Sequence, residues 1–319
     1  MHEPDGDARA LLGGNTIELE SLYQAARTVT DPHDADGDLA HAHPWRQRLG
    51  RQPPRSALPT PYQRGAATTR RGRQACFFRE GTSCRLPGRS GLRRRVTGLR
   101  AILFDFGGTL DGAGRSWADR FVEAYDAHRL AVPPERLRAA TSHGTRQSYR
   151  NPAVRGFDLQ ETVAFHVACQ FAYLGIEHGP AAEAVVRTFV AGSVAALDES
   201  RAVLARLGRR FRLGVVSNFY GNLERILSGT GIAPLLELTC DSALEGVSKP
   251  DPRIFTLAVE RLTLRSEEVL FVGDSYEQDI VPARAAGLRT AWLVAREGAA
   301  DESLADMRLG TLAELESLY

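Results

Sequence analysis

Lysine is almost missing from this chain: Lys249 stands alone beside 39 arginines. Wherever else a cation is needed, arginine supplies it; the two are not interchangeable where a compact point charge must fit, and the plain alternative is that the one lysine falls there by chance. Cysteine is scarce as well. Cys76, Cys84, Cys169 and Cys240 form no close C-x-x-C pair, and nothing in their spacing indicates a disulfide framework or a zinc site. Net charge is nearly absent, at +1, so no global excess of one sign points to nucleic acid or a membrane surface. No apolar run approaches the length that a bilayer requires, and Met1–Gly14 carries acids and no long apolar stretch. A cytoplasmic protein without a signal peptide is the expectation.

What is there is unevenly spread. Residues 1–96 do not read as a folded domain. From Trp45 to Arg100 the chain is crowded with Arg, Pro, Gly and Ser, Glu80 is its one acid, and no apolar period persists. Such a stretch cannot bury enough surface to offset the entropy of ordering it. It reads as a flexible basic extension. Without aromatic interleaving or a groove-reading motif, a nucleic-acid tail is the weaker reading. The same composition fits translated GC-rich spacer, with Val96 where a GTG start would fall, so natural translation is expected to begin near Val96. His33, His41 and His43 lack a ligand spacing and read as solvated. One short repeat stands out. ELESLY occurs at Glu18–Tyr23 and again at Glu314–Tyr319, either as the tail of an upstream tandem relative or as convergence on a short amphipathic pattern.

The chemistry begins at Ala101. Ala101–Phe104 is a short apolar run of the kind a buried parallel strand needs, and it ends in Asp105, Phe106, Gly107, Gly108 and Thr109. A carboxylate at the carboxyl end of such a strand points into the crevice where open α/β sheets bind ligands. The glycines let the backbone approach a ligand closely. A strand ending in a tight Asp-Gly turn is the plain alternative, of about equal weight for a motif this short. Three later stretches shift the balance. Phe211–Asn218 (FRLGVVSN) is a second apolar strand ending in Ser217 and Asn218. Ser248–Phe255 (SKPDPRIF) presents Lys249. Val269–Asp279 (VLFVGDSYEQD) is a third strand ending in Asp274, with Asp279 five residues on.

These four stretches occur in order and continue through Asp279, Ile280, Ala283, Ala286 and Gly287. With them, residues 98–319 resemble the haloacid dehalogenase superfamily, in its group with an α-helical C1-type cap similar to phosphoglycolate phosphatases. The resemblance implies a doubly wound parallel α/β sheet and phosphoryl transfer through an aspartyl-phosphate. Asp105 would be the nucleophile. Asp105, the backbone carbonyl of Gly107, Asp274 and Asp279 would hold Mg2+ between the carboxylate and the phosphoryl oxygens it repels. Ser217 would donate to a phosphoryl oxygen, with Gly108, Thr109 and Asn218 beside it. Lys249 would set a positive charge against the nucleophile and the transferring group. The implied substrate is a small phosphorylated metabolite.

One position departs from the family's pattern. Most of its phosphatases carry a second Asp two residues after the nucleophile, which protonates the leaving group and then activates water. Here that position is Gly107. General acid–base catalysis is worth about 10²–10⁴-fold. The expectation is slow hydrolysis, restriction to good leaving groups (acyl phosphates, anhydrides, aryl phosphates), or another acid, of which Asp111 is the nearest. Phosphonate-cleaving relatives also have a small residue there but need a cap lysine, which this chain lacks. The family's dehalogenases usually have Tyr at that position. A Mg2+-dependent phosphatase is the leading function. A catalytically weak or inactive relative that binds a phosphorylated ligand or a protein partner is the alternative.

The insert at 112–197 is helical in pattern. Trp117, Phe121 and Tyr125 recur one turn apart, and Pro133 and Pro134 open a second helix. Leu159–Tyr173 and Ala181–Leu197 supply two more, giving a small bundle. By resemblance this is the cap that closes over the site and sets substrate choice, between core segments 97–111 and 198–319. Ser142–Gly156 reads as a loop between cap helices. From it His143, Arg146, Tyr149 and Arg150 could reach an anionic substrate, against the plainer reading of a solvated loop. His166 and Cys169 fall on an apolar face and read as core. Asp198–Leu207, Leu223–Leu227 and Arg253–Arg261 read as helices, Leu236–Cys240 and Arg289–Val294 as strands, and Leu304–Tyr319 as a short C-terminal unit. The alternation predicts a parallel sheet with right-handed crossovers.

Overall fold

The computed structural model describes residues 98–294 and 304–318. The expectations for residues 1–96, including Cys76, Cys84 and the first ELESLY, lie outside the described residues. Strand β1 (Ala101–Phe104) leads into an irregular turn over Phe106–Leu110. Four helices follow: α1 (Trp117–Ala127), α2 (Pro134–Arg150), α3 (Leu159–Leu174) and α4 (Pro180–Leu207). The chain then runs through β2 (Arg212–Ser217), α5 (Leu223–Gly229), β3 (Leu238–Asp241), α6 (Ser242–Glu245) and α7 (Arg253–Leu262). It ends with β4 (Val269–Gly273), α8 (Val281–Ala285), β5 (Arg289–Leu293), β6 (Met307–Leu309) and a helical turn at Leu312–Leu318.

The sheet order is β3-β2-β1-β4-β5-β6, and every pairing is parallel. β1 sits inside because both of its faces are apolar. Ile102 and Phe104 join a core cluster with α1, α3 and α4, while Ala101 and Leu103 join a second one with Ile254, Phe255 and Ala258 of α7. The two-residue period of a strand sends neighbours to opposite faces. With helices on both faces the strands read as continuous apolar runs rather than alternations. β2 and β3 extend the sheet to one side of β1, and β4 starts on the other. That reversal opens a crevice at the carboxyl ends of β1 and β4, which is where Asp105 and Asp274 stand.

Two local expectations are corrected. Ser142–Arg150 is not a loop; it completes α2. The hydroxyls of Thr141, Ser142, Thr145 and Ser148 each donate to the carbonyl of the residue four positions back. Polar residues that read as loop formers are therefore satisfied within the helix. Only Pro152–Gly156 leaves it as a tight turn. Second, there is no break at 197/198, because α4 is one helix of 28 residues shared by the insert and the sheet layer. By length and composition α4 could cross a membrane. Its Val185, Phe189, Val190, Leu204 and Leu207 are instead buried in the core, and a core helix passes the same test.

Candidate active site

The loops after β1, β2 and β4 and the Lys249 loop meet around one ammonium. Lys249 Nζ donates to Asp105 Oδ1 and to Asp279 Oδ1, both at 2.6 Å. All three residues are buried. Ser217 Oγ donates to the same Asp105 oxygen at 2.7 Å. Beside them, Thr109 Oγ1 donates to Asp274 Oδ1 at 2.9 Å. Gly108 stands at φ +96, and a Cβ there would lie 2.5 Å from Asp274 Oδ2, so only glycine lets the turn pass so close. One oxygen from each of Asp105, Asp274 and Asp279 falls within 4.8 Å of the others.

Two carboxylates thus share one lysine, with a third, Asp274, beside them. Burial pushes the Asp274 carboxyl well above the usual range, and the charges of Asp105 and Asp279 push it further. Burial also pushes Asp279 up to about 6, against the pull of Lys249. For Lys249, burial by itself would lower the pKa, but Asp105 and Asp279 together hold it above the ordinary lysine range. A buried set of hard oxygen donors with an uncompensated negative charge fits a hard divalent cation.

The structure brings Asp105, Ser217, Lys249, Asp274 and Asp279 together, with the Ser217 hydroxyl, expected to donate to a phosphoryl oxygen, donating to Asp105. Asn218 is a correction. Its Nδ2 donates to the Lys249 carbonyl at 2.9 Å and its Oδ1 accepts from the Lys249 N–H at 2.8 Å. Both ends of the amide are taken up in holding the lysine loop, not in facing a phosphate. Thr109 holds Asp274 in the same way. Asp111 is excluded as the missing acid. Its Oδ1 accepts from the Gly108 N–H at 2.7 Å, and its Oδ2 accepts from Trp117 Nε1 at 2.8 Å, Arg120 Nη1 at 3.0 Å and Ser193 Oγ at 3.4 Å. A fully buried carboxylate whose two oxygens are taken by a backbone N–H, an indole, a hydroxyl and a buried arginine is spent on holding the fold together.

Arg120 and Ser193 were not singled out in the sequence. The available signal was an arginine beside Phe121 on the apolar stripe of α1, nine residues after a lone acid. Of the insert residues considered for an anionic ligand, His143 turns inward, with its ring 5.0 Å from that of Tyr173 and its Nε2 3.4 Å from Gln147. Tyr149 reaches the sheet layer, its hydroxyl 3.2 Å from Ser242 Oγ. His166 and Cys169 are core residues as read. Burial lowers His166 to about 3, helped by His143, and pushes the Cys169 thiol up to about 12.

Gly107 has an ordinary backbone conformation, φ −74 and ψ 107. Among the described residues a Cβ there would meet only Trp117, at 3.5 Å from Nε1 and 3.6 Å from Cδ1, which is normal contact. Packing therefore does not forbid a side chain. Gly107→Asp is expected to fold and to raise turnover of an alkyl phosphate at least about tenfold, the lower part of what an added general acid contributes. Steady-state rates on an alkyl and an aryl phosphate check this. An equal gain on both would mean that leaving-group protonation is not the deficit.

The family model for the haloacid dehalogenase-like hydrolases matches residues 99–287. A phosphoserine phosphatase of Thermus thermophilus is 36% identical over 120 residues, 37% of this chain and 48% of that protein. A pyrimidine 5'-nucleotidase of Escherichia coli is 30% identical over 173 residues, 53% of this chain and 75% of that protein. The chain thus spans about half the length of the phosphoserine phosphatase and more of the nucleotidase. A crystal structure of a dehalogenase superposes with a TM-score of 0.51 at 19% identity, covering 70% of this chain and 98% of that one, which shows the fold alone.

Proposed function

The chain belongs to the haloacid dehalogenase-like hydrolase family, and from that premise we propose that it is a Mg2+-dependent phosphatase acting on a small phosphorylated metabolite with a good leaving group. The observation that carries this is the Lys249 ammonium held between Asp105 and Asp279, with Asp274 beside them. Relatives whose names specify phosphoserine and pyrimidine nucleotides support a small phosphorylated substrate; the good leaving group rests on Gly107 alone.

Asp105, Asp274 and Asp279 would hold the Mg2+, which when bound neutralises charge on the phosphoryl group. Lys249 and Ser217 fix Asp105 Oδ1 and leave Oδ2 for attack on phosphorus. The ammonium also stabilises the charge that gathers on the transferring group. Asn218 keeps Lys249 in place through its backbone. Nothing at position 107 protonates the leaving group or deprotonates water, so departure must succeed unaided and hydrolysis of the aspartyl-phosphate is slow.

The test is release of phenol and phosphate from an aryl phosphate, with Mg2+ and with a chelator. The expected result is Mg2+-dependent turnover with a burst of phenol equal to the enzyme concentration, the mark of an accumulating covalent intermediate. The missing acid favours one other reading, a member that binds a phosphorylated ligand without turnover. That reading gains if Mg2+ raises the Tm of wild type but not of Asp274→Asn, while no phenol is released.

A further inference from the structure

Building on the phosphatase reading, we propose that the leaving-group side of the site is an aromatic subsite centred on Trp117, and that the substrate is an aryl phosphate, carrying a flat apolar group rather than a polar or charged one. The first ground is position. Among the described residues, Trp117 is the neighbour within 4 Å of a Cβ built at Gly107, so its indole lies alongside the nucleophile turn at ordinary contact distance.

The second ground is continuity. The Phe219 ring, which follows Ser217 and Asn218, packs edge-on against Phe106 at 5.4 Å and against Trp117 at 6.0 Å. Tyr220 lies 4.9 Å from Phe219, and Tyr149 lies 5.0 Å from Tyr220. Rings thus run from the residue next to the nucleophile to the end of α2. Phe121, Phe189 and Phe219 are buried, whereas Trp117 and Tyr149 keep exposed surface. Tyr220 is buried as well, so accessible ring surface remains at Trp117 and Tyr149.

The third ground is preorganisation. Trp117 Nε1–H is taken by Asp111 Oδ2 at 2.8 Å, and Asp111 is itself held by Arg120 and the Gly108 N–H. The indole is aimed before a ligand arrives, so ordering it costs little on binding. Asp111 and Arg120 neutralise each other in a buried pair, and buried His166, 5.9 Å from the indole, is neutral. The wall therefore offers ring faces and edges, not charge, and these favour a second aromatic ring.

The missing acid selects the same class. Asp105 forms its bond to phosphorus as the bond to the aryl oxygen breaks, and the electron pair leaves on that oxygen as a phenolate. A phenol, with a pKa of about 10, is acidic enough for its anion to depart unprotonated and take a proton from water afterwards. Water then attacks phosphorus, releasing phosphate and restoring the Asp105 carboxylate, with the proton passing to solvent.

The test uses the full chain with Mg2+ and compares kcat/KM for 4-nitrophenyl phosphate and acetyl phosphate, two good leaving groups of which only one is aromatic. In Trp117→Leu the aryl-to-acetyl ratio is expected to fall about threefold to tenfold, the effect of one lost ring contact, and Trp117→Phe is expected to restore most of it. A ratio unchanged in Trp117→Leu overturns the subsite. If wild type turns over neither substrate, the phosphatase reading fails by itself, and the subsite is judged by calorimetric binding. Phenylphosphonate must then bind at least about threefold tighter than methylphosphonate to wild type, with the preference lost in Trp117→Leu. Equal binding of the two by wild type overturns it.

Discussion

Asp105→Asn is expected to abolish turnover of aryl and acyl phosphates, by at least about a thousandfold, without lowering the melting temperature. The loss follows from chemistry: an amide is a poor nucleophile for phosphorus, and removing the attacking group of a covalent mechanism removes most of the rate enhancement. The retained stability follows from electrostatics. The amide oxygen still accepts from Ser217 and Lys249, which meet Asp105 at 2.7 Å and 2.6 Å. The substitution also removes one of three mutually repelling carboxylates, the one whose charge raises the pKa of both Asp274 and Asp279. Rates measured beside thermal melts in metal-free buffer separate the two effects. Residual activity above a few per cent would remove Asp105 from the nucleophile role. A melting point lowered by more than about 4 °C, the equivalent of roughly 1 kcal/mol or more in a domain of this size, would mean that the carboxylate cluster is not under repulsion.

The largest loss of stability is expected from Arg120→Ala. Asp111 is fully buried, and Arg120 supplies its counter-charge at 3.0 Å. The same guanidinium donates to the Phe189 carbonyl and to Ser193, and lies 4.1 Å from the centre of the Phe189 ring. Truncation leaves a buried carboxylate without its cation, which costs about 3–5 kcal/mol. The Tm should fall on the order of 10 °C. Adding Asp111→Asn should recover part of the fall, because the stranded charge is then gone. A fall of about 2 °C or less in the single variant would show that the pair lends little to the fold.

The legibility of the site follows the type of contact involved. Asp105, Ser217 and Asp274 stood out because each polar residue ends an apolar strand, and strand ends in a doubly wound sheet converge at one edge. Lys249 stood out by composition. Asn218 was placed at the right loop with the wrong partner, because an amide donates and accepts equally well and its partner lies 31 residues on. Ser142–Arg150 read as a loop because Ser and Thr compete for backbone hydrogen bonds. In α2 that competition is met by the helix's own carbonyls. The Asp111–Arg120 pair was invisible because neither residue fits a motif, and only packing against Phe189 and Ser193 buries them.

By itself the sequence determined which polar residues end its apolar strands and in what order they come along a parallel α/β chain. Strand periodicity and the change from apolar to polar at strand ends are local properties, readable within a few residues. Only the tertiary structure decided that Lys249 is shared between Asp105 and Asp279, that Asp111 serves the fold and not the reaction, and that Trp117 faces the gap at Gly107. Each of these depends on where a side chain meets a partner from another loop or helix. No local pattern encodes that distance, because the sheet order and the packing of α1 and α4 above it set it.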